Sequence, residues 1–126
     1  MTDELCLHIS VMDEKHEEFL ELLRRIQSCP KAEFMPLFTQ MIEHTKEHFA
    51  FEEEIMNANV FYAKQEHFDE HRSLLGEMEY FYEKAQKLPM FGKSYINDYA
   101  LDKFKRHIIN IDSQLAMFLK DKKIEL

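Results

Sequence analysis

Two glycines and three prolines are the only strong chain-breakers in 126 residues, and there is no tryptophan. An all-β architecture needs turn signals every roughly 8–12 residues, so this scarcity excludes one and leaves helices as the default. Cysteine is equally sparse, with Cys6 and Cys29 alone. They flank the first expected helix, whose length separates them by roughly 25 Å or more at 1.5 Å per residue, too far for an internal disulfide. Reduced thiols fit a reducing compartment, and the expected localisation is cytoplasmic. No run of 18 apolar residues is present, and Asp3 and Glu4 stand where a secretory leader would be basic. The net charge of -8, with no basic patch to offset it, argues against nucleic acid or an anionic membrane as partner.

The composition is 45% hydrophobic, enough at this length for one core, so residues 1–126 are expected to form one domain. Four amphipathic stretches are separated by short breaks. The first runs from Val11 to Ser28, with Phe19, Leu20, Leu23 and Ile26 at helical spacing, and stops ahead of Pro30. A second begins between Phe34 and Pro36, proline being tolerated in the first turn, and continues to Asn57. The third spans Ala63 to Lys87. Leu88 to Gly92 reads as a connecting loop, with Ser94 as N-cap of a fourth helix that runs to Lys120. Helices of this length joined by short loops predict an all-α fold, an up-down-up-down antiparallel four-helix bundle. The eight methionines and eleven phenylalanines are mostly core filling.

Polar residues break the apolar pattern in a repeated way. His16 lies on the first helix, His44, His48 and Glu52 on the second, His67 and His71 on the third, His107 and Asp112 on the fourth. Residues four apart differ by about 40° around a helix axis, so His48 with Glu52, and His67 with His71, can converge on one atom. Every helix takes part, which a solvated face would not require. Phe49, Phe68, Ile108 and Ile109 adjoin these histidines, and burying imidazoles and carboxylates without partners costs several kcal/mol in total. A metal would supply the partner. Five imidazoles and two carboxylates suit iron, zinc or copper, and they are too many for one tetrahedral ion, so the donor set predicts two adjacent metals. No glutamate stands three residues before a histidine, unlike the Glu-x-x-His repeats of ferritin-like centres. His107 and Asp112 pose a difficulty: five α-helical residues differ by about 140°, so an aspartate there must swing in from the flank.

MDEKHEEF at 12–19, HFAFEEEIM at 48–56, HFDEH at 67–71 and HIINID at 107–112 resemble the motifs of the hemerythrin family, the non-haem di-iron oxygen binders, in order and separation. The likeness covers nearly the whole chain, and myohemerythrin is itself a standard up-and-down bundle. It implies a di-iron site in the bundle core, with His67, His71 and His107 ligating one iron and His16 and His48 the other. Glu52 and Asp112 would bridge them, together with an oxo or hydroxo group. It also implies an open coordination position on the second iron for dioxygen, within an apolar lining of Phe19, Phe49, Phe104 and Ile108.

The chain departs from the family pattern at Lys103, where Trp is usual, at Phe61-Tyr62 in place of Tyr-Pro, at His44 in place of an aromatic, and at His8, where a small residue is usual. Lys103 either snorkels outward or admits water to the pocket. His8 is expected to be exposed at the start of the first helix, and His44 to pack one turn from the cluster. Glu53 and Glu54 read as the solvated side of the second helix. The leading functional expectation is reversible dioxygen binding for storage, delivery or sensing, without enzymatic activity. The alternatives are a di-iron redox enzyme (peroxidase, oxidase or nitric-oxide scavenger), with Lys103 or His44 as acid or base, and iron storage or sensing. Nothing in the sequence fixes an oligomeric state, and a monomer is compatible with it.

Overall fold

Helix dominates the computed structural model, which describes residues 5–126. α1 (Ser10–Ser28), α2 (Phe34–Ala58) and α3 (Lys64–Lys87) agree closely with the first three expected helices, and Lys31–Glu33 adds a short 3₁₀ turn ahead of α2. The fourth rod consists of α4 (Pro89–Ser94), α5 (Leu101–His107) and α6 (Ser113–Asp121), joined by π-helical turns at Tyr95–Ala100 and Ile108–Asp112. Right-handed helical backbone at the junction residues Tyr95, Leu101, Ile108 and Ser113 makes these segments one continuous rod. No strand occurs among the described residues.

The fourth rod begins earlier than the sequence suggests. Leu88 to Gly92 is not a loop: Pro89 occupies the first turn of α4, where its fixed φ suits a helix and its missing N–H would have no partner. Ser94 lies at the helical C-terminus of α4, and its hydroxyl donates to Asp98 Oδ2 at 3.2 Å instead of capping. Gly92 explains how α4 can fold back so tightly onto α3. A Cβ there would stand 2.6 Å from Ala85 Cβ and 3.0 Å from Phe34 Cε1.

α2 packs against both α1 and α3, while α3 packs against α4 and the second π turn. Each buries one stripe. On α2 the stripe includes Leu37, Phe38, Met41, Thr45, His48, Glu52 and Met56, so apolar and polar residues share one inward face. The apolar core holds Met12, Leu23, Phe38, Met41, Ile96, Leu115 and Leu119 among its most enclosed side chains. Aromatic stacking ties the rods together away from the polar cluster: Tyr95 stacks on Phe81 of α3 at 4.8 Å and on Phe38 of α2 at 6.2 Å.

Ahead of α1 the chain crosses a left-handed position at His8, φ 61°, a conformation that glycine adopts more readily. Asp13 holds this arm: its Oδ1 accepts from Leu7 N at 2.8 Å and its Oδ2 from His8 N at 3.1 Å. His8 is exposed, and Cys6 and Cys29 are free thiols. Among the described residues no helix is long and apolar enough to cross a membrane.

Candidate metal centre

His16, His48, Glu52, His67, His71, His107 and Asp112 are each 2% exposed or less, and they meet at one place between the rods. They form two overlapping groups. Glu52, His67, His71, His107 and Asp112 can each bring a ligand atom within 4.8 Å of the others', and so can His16, His48, Glu52 and Asp112. Both carboxylates belong to both groups.

The oxygens divide between the groups. Glu52 turns Oε1 toward His67 Nε2 at 3.2 Å and His71 Nε2 at 3.0 Å, and Oε2 toward His48 Nε2 at 2.8 Å. Asp112 turns Oδ1 toward His67 Nε2 at 3.1 Å and His107 Nε2 at 3.0 Å, and Oδ2 toward His16 Nε2 at 2.9 Å. Each carboxylate thus shows one oxygen to the three-histidine side and the other to the two-histidine side. His107 Nε2 and Asp112 Oδ1 are nevertheless buried without any hydrogen-bond partner, although they lie 3.0 Å apart. Buried polar atoms are almost always paired, so donors brought together yet unpaired fit a cation between them.

The π turn at Ile108–Asp112 removes the angular difficulty of the fourth rod. Ser113 N–H reaches Ile108 O, five residues back, so this turn holds one residue more than an α turn. Five residues then bring the chain nearly full circle, and Asp112 comes to the same side as His107 without a detour from the flank.

Electrostatics favour the same interpretation. Burial and the neighbouring Asp112 both push the Glu52 carboxyl up, but His48 and His67 outweigh them and hold it below the ordinary carboxylate range. Asp112 is likewise held well below its ordinary value, burial being overcome by His107, His16 and His67. Burial lowers the two imidazoles that face both carboxylates, yet the carboxylates prevail. His67 is raised to about 8 by Asp112 and Glu52, and His107 to about 10, chiefly by Asp112. Two anionic carboxylates at zero exposure therefore attract positive charge to this point, which protons supply when no metal is bound.

Around the donors lies a partner layer that the sequence did not disclose. His71 Nδ1 meets Glu53 Oε2 at 2.9 Å, so Glu53 is only partly solvated, in contrast to the expected outer face. His107 Nδ1 stands 3.7 Å from Glu70 Oε1, and this contact, with burial opposing it, lowers the Glu70 carboxyl. Glu70 immediately precedes His71, and Glu53 immediately follows Glu52, so adjacency to a candidate donor was the one available signal. His44 stays outside the donor groups. Its Nε2 contacts Glu18 Oε2 at 3.2 Å, its ring lies 6.3 Å from that of His48, and burial lowers its pKa.

A cavity of about 20 Å³ opens beside His48, on the two-histidine side. Phe19, Phe49 and Phe104 line it with Thr45, Met78 and Lys103; Ile108 is fully buried but is not on this wall. Phe19 and Phe104 stack at 4.0 Å, and Phe49 lies flat on His71 at 3.8 Å. Lys103 snorkels outward, its ammonium meeting Glu77 of α3. Phe61, 5% exposed, closes the far end of the cluster between His67 and Phe118, while Tyr62 is exposed.

The family model described as hemerythrin HHE cation binding domain matches residues 7–119. The chain belongs to the hemerythrin family. That match includes all seven clustered residues, so the buried donors coincide with a cation-binding domain. No curated protein and no solved structure matches the chain. Within this hemerythrin domain the residues present fit a bound metal on three counts: donor types, unpaired buried atoms, and carboxylates that face two ways.

Proposed function

We propose that this hemerythrin-like chain is a non-haem di-iron protein that binds dioxygen reversibly, for storage, delivery or sensing. The observation that carries the proposal is the division of the two carboxylates, each oxygen serving a different histidine group. Such a division suits two cations sharing Glu52 and Asp112, one held in addition by His67, His71 and His107, the other by His16 and His48. Short connections and the packing of α2 between α1 and α3 support an up-down-up-down bundle as the scaffold.

The donor count is unequal. Five residues serve one position and four the other, and the cavity borders His48 in the smaller set. A space of about 20 Å³ suffices for one water or a diatomic molecule. When bound, two ferrous ions would supply the electrons that dioxygen takes up and returns. The chain's own contribution is threefold. The histidines and carboxylates hold the donor set rigidly, Phe19, Phe49 and Phe104 keep water away from the cavity, and Glu53 orients the His71 ring through Nδ1. In so dry a site the two carboxylates are strong attractors for cations, because little solvent screens them.

Lys103 favours a second reading, a redox enzyme acting on peroxide, oxygen or nitric oxide. Its stem lines the cavity, and its ammonium, paired with Glu77 at the edge, would serve as a proton donor if it turned inward. One experiment separates the two. The chain is loaded anaerobically with ferrous iron, iron per chain is measured, and the visible spectrum is followed through cycles of oxygen addition and removal. Two irons per chain and a band that appears and vanishes over repeated cycles support the carrier. Irreversible bleaching with consumption of an added reductant supports the enzyme, and fewer than two irons refutes the shared-carboxylate assignment.

A further inference from the structure

Among the described residues, Lys103 is the only lysine on the cavity wall, and no arginine or carboxylate lines it. Its stem forms part of the lining while its ammonium turns away to Glu77, a residue of α3 outside the lining. The Lys103 side chain is 40% exposed and that of Glu77 28%, so the pair sits where the cavity wall meets solvent and joins α3 to the fourth rod across it. Ion pairs this exposed are weak, so this contact parts readily. A freed lysine ammonium on its flexible stem would sweep the cavity mouth.

We propose that Lys103 and Glu77 are a gate on this cavity, one that selects small inorganic anions. The proposal rests on the metal reading of the site, since the cavity leads to His48. Its physical basis is charge: a chain with net charge -8 repels anions overall, and a cation at the cavity edge reverses that locally. Glu77 masks the cation while the pair is closed and releases it when the pair opens. A neutral diatomic molecule passes without regard to the charge.

The probe is azide, mixed by stopped flow with the iron-loaded, oxidised chain, the visible spectrum giving the association rate. In wild type that rate should fall with rising salt. Glu77→Gln, which unmasks the ammonium, should raise it about tenfold. Lys103→Met, which keeps the apolar stem, should lower it about tenfold and reverse the salt dependence, because the repulsion left behind is screened as salt rises. Equal rates and equal salt dependence in all three proteins would overturn the gate. A second measurement needs no metal: the Lys103 ammonium resonance of the metal-free chain should shift in Glu77→Gln, and an unmoved resonance shows that the pair does not form. Failure of the metal reading is seen separately, as the absence of any visible band before azide is added.

Discussion

Asp112 and His16 differ sharply in what their loss should do, although both have zero exposure. Asp112 presents an oxygen to each histidine group, so Asp112→Asn weakens both positions at once. Iron per chain should drop below one at metal concentrations that saturate the wild type. His16 belongs to the smaller group alone, and His16→Ala should leave about one iron per chain, measured by elemental analysis after desalting. Equal losses in the two variants would refute the division of oxygens described above. Glu53 acts at one remove. Partners of metal-binding histidines typically contribute about 10–100-fold in affinity, and Glu53→Gln should reduce metal affinity within that range while the helix content stays unchanged.

Among the elements, the fourth rod carries the least regular backbone and the strictest geometric task. A plain α-helix from Pro89 to Asp121 would turn Asp112 away from His107, and the π turn at Ile108–Asp112 corrects the angle. π turns recur at functional sites because an extra residue re-aims the side chains that follow. The close contact between α3 and α4 provides a control at the same scale. Gly92→Ala places a Cβ 2.6 Å from Ala85 Cβ, so α4 must shift. Overpacking of this kind costs about 1–3 kcal/mol, seen as a lowered denaturation midpoint. Iron stoichiometry should be unaffected, since Gly92 belongs to neither donor group.

For the whole molecule, the buried charges link fold stability to pH and to metal. Glu52 and Asp112 have lowered pKa values, so in the metal-free chain their stabilisation is present above the ordinary carboxylate range and is lost as pH falls. His67 and His107 are raised, to about 8 and about 10, so theirs is complete below an ordinary histidine value near 6.5 and is lost as pH rises through those values. The metal-free chain should therefore be most stable between these limits, with thermal midpoints falling on both the acid and the alkaline side. Metal replaces the protons, so loading at pH 7 should release protons into the buffer and flatten the alkaline decline. Saturation at 1,000 times Kd adds about 4 kcal/mol. An alkaline decline that metal leaves unchanged would mean that the cation does not occupy the His67 and His107 donors.

Much of this was legible in the residues themselves. Periodicity located α1, α2 and α3 nearly to the residue, since apolar stripes and proline positions depend on local chemistry alone. The seven clustered donors were legible too, because imidazoles and carboxylates interrupting apolar stripes on four helices have no inexpensive bland explanation. Other features belong to the tertiary structure. Pro89 and Gly92 look like loop residues until the packing of Ala85 and Phe34 shows why a helix needs them. Asp112 appears misplaced by its spacing until the backbone widens into a π turn that buries Ile108 and Asp112 together. Glu53 reads as solvated, and nothing in the sequence singles out Glu70 or Glu77, until His71, His107 and Lys103 come within reach from other helices. Donor types and their faces follow from sequence because each helix sets its own periodicity, whereas which oxygen meets which imidazole is decided only when the rods pack and desolvate them together.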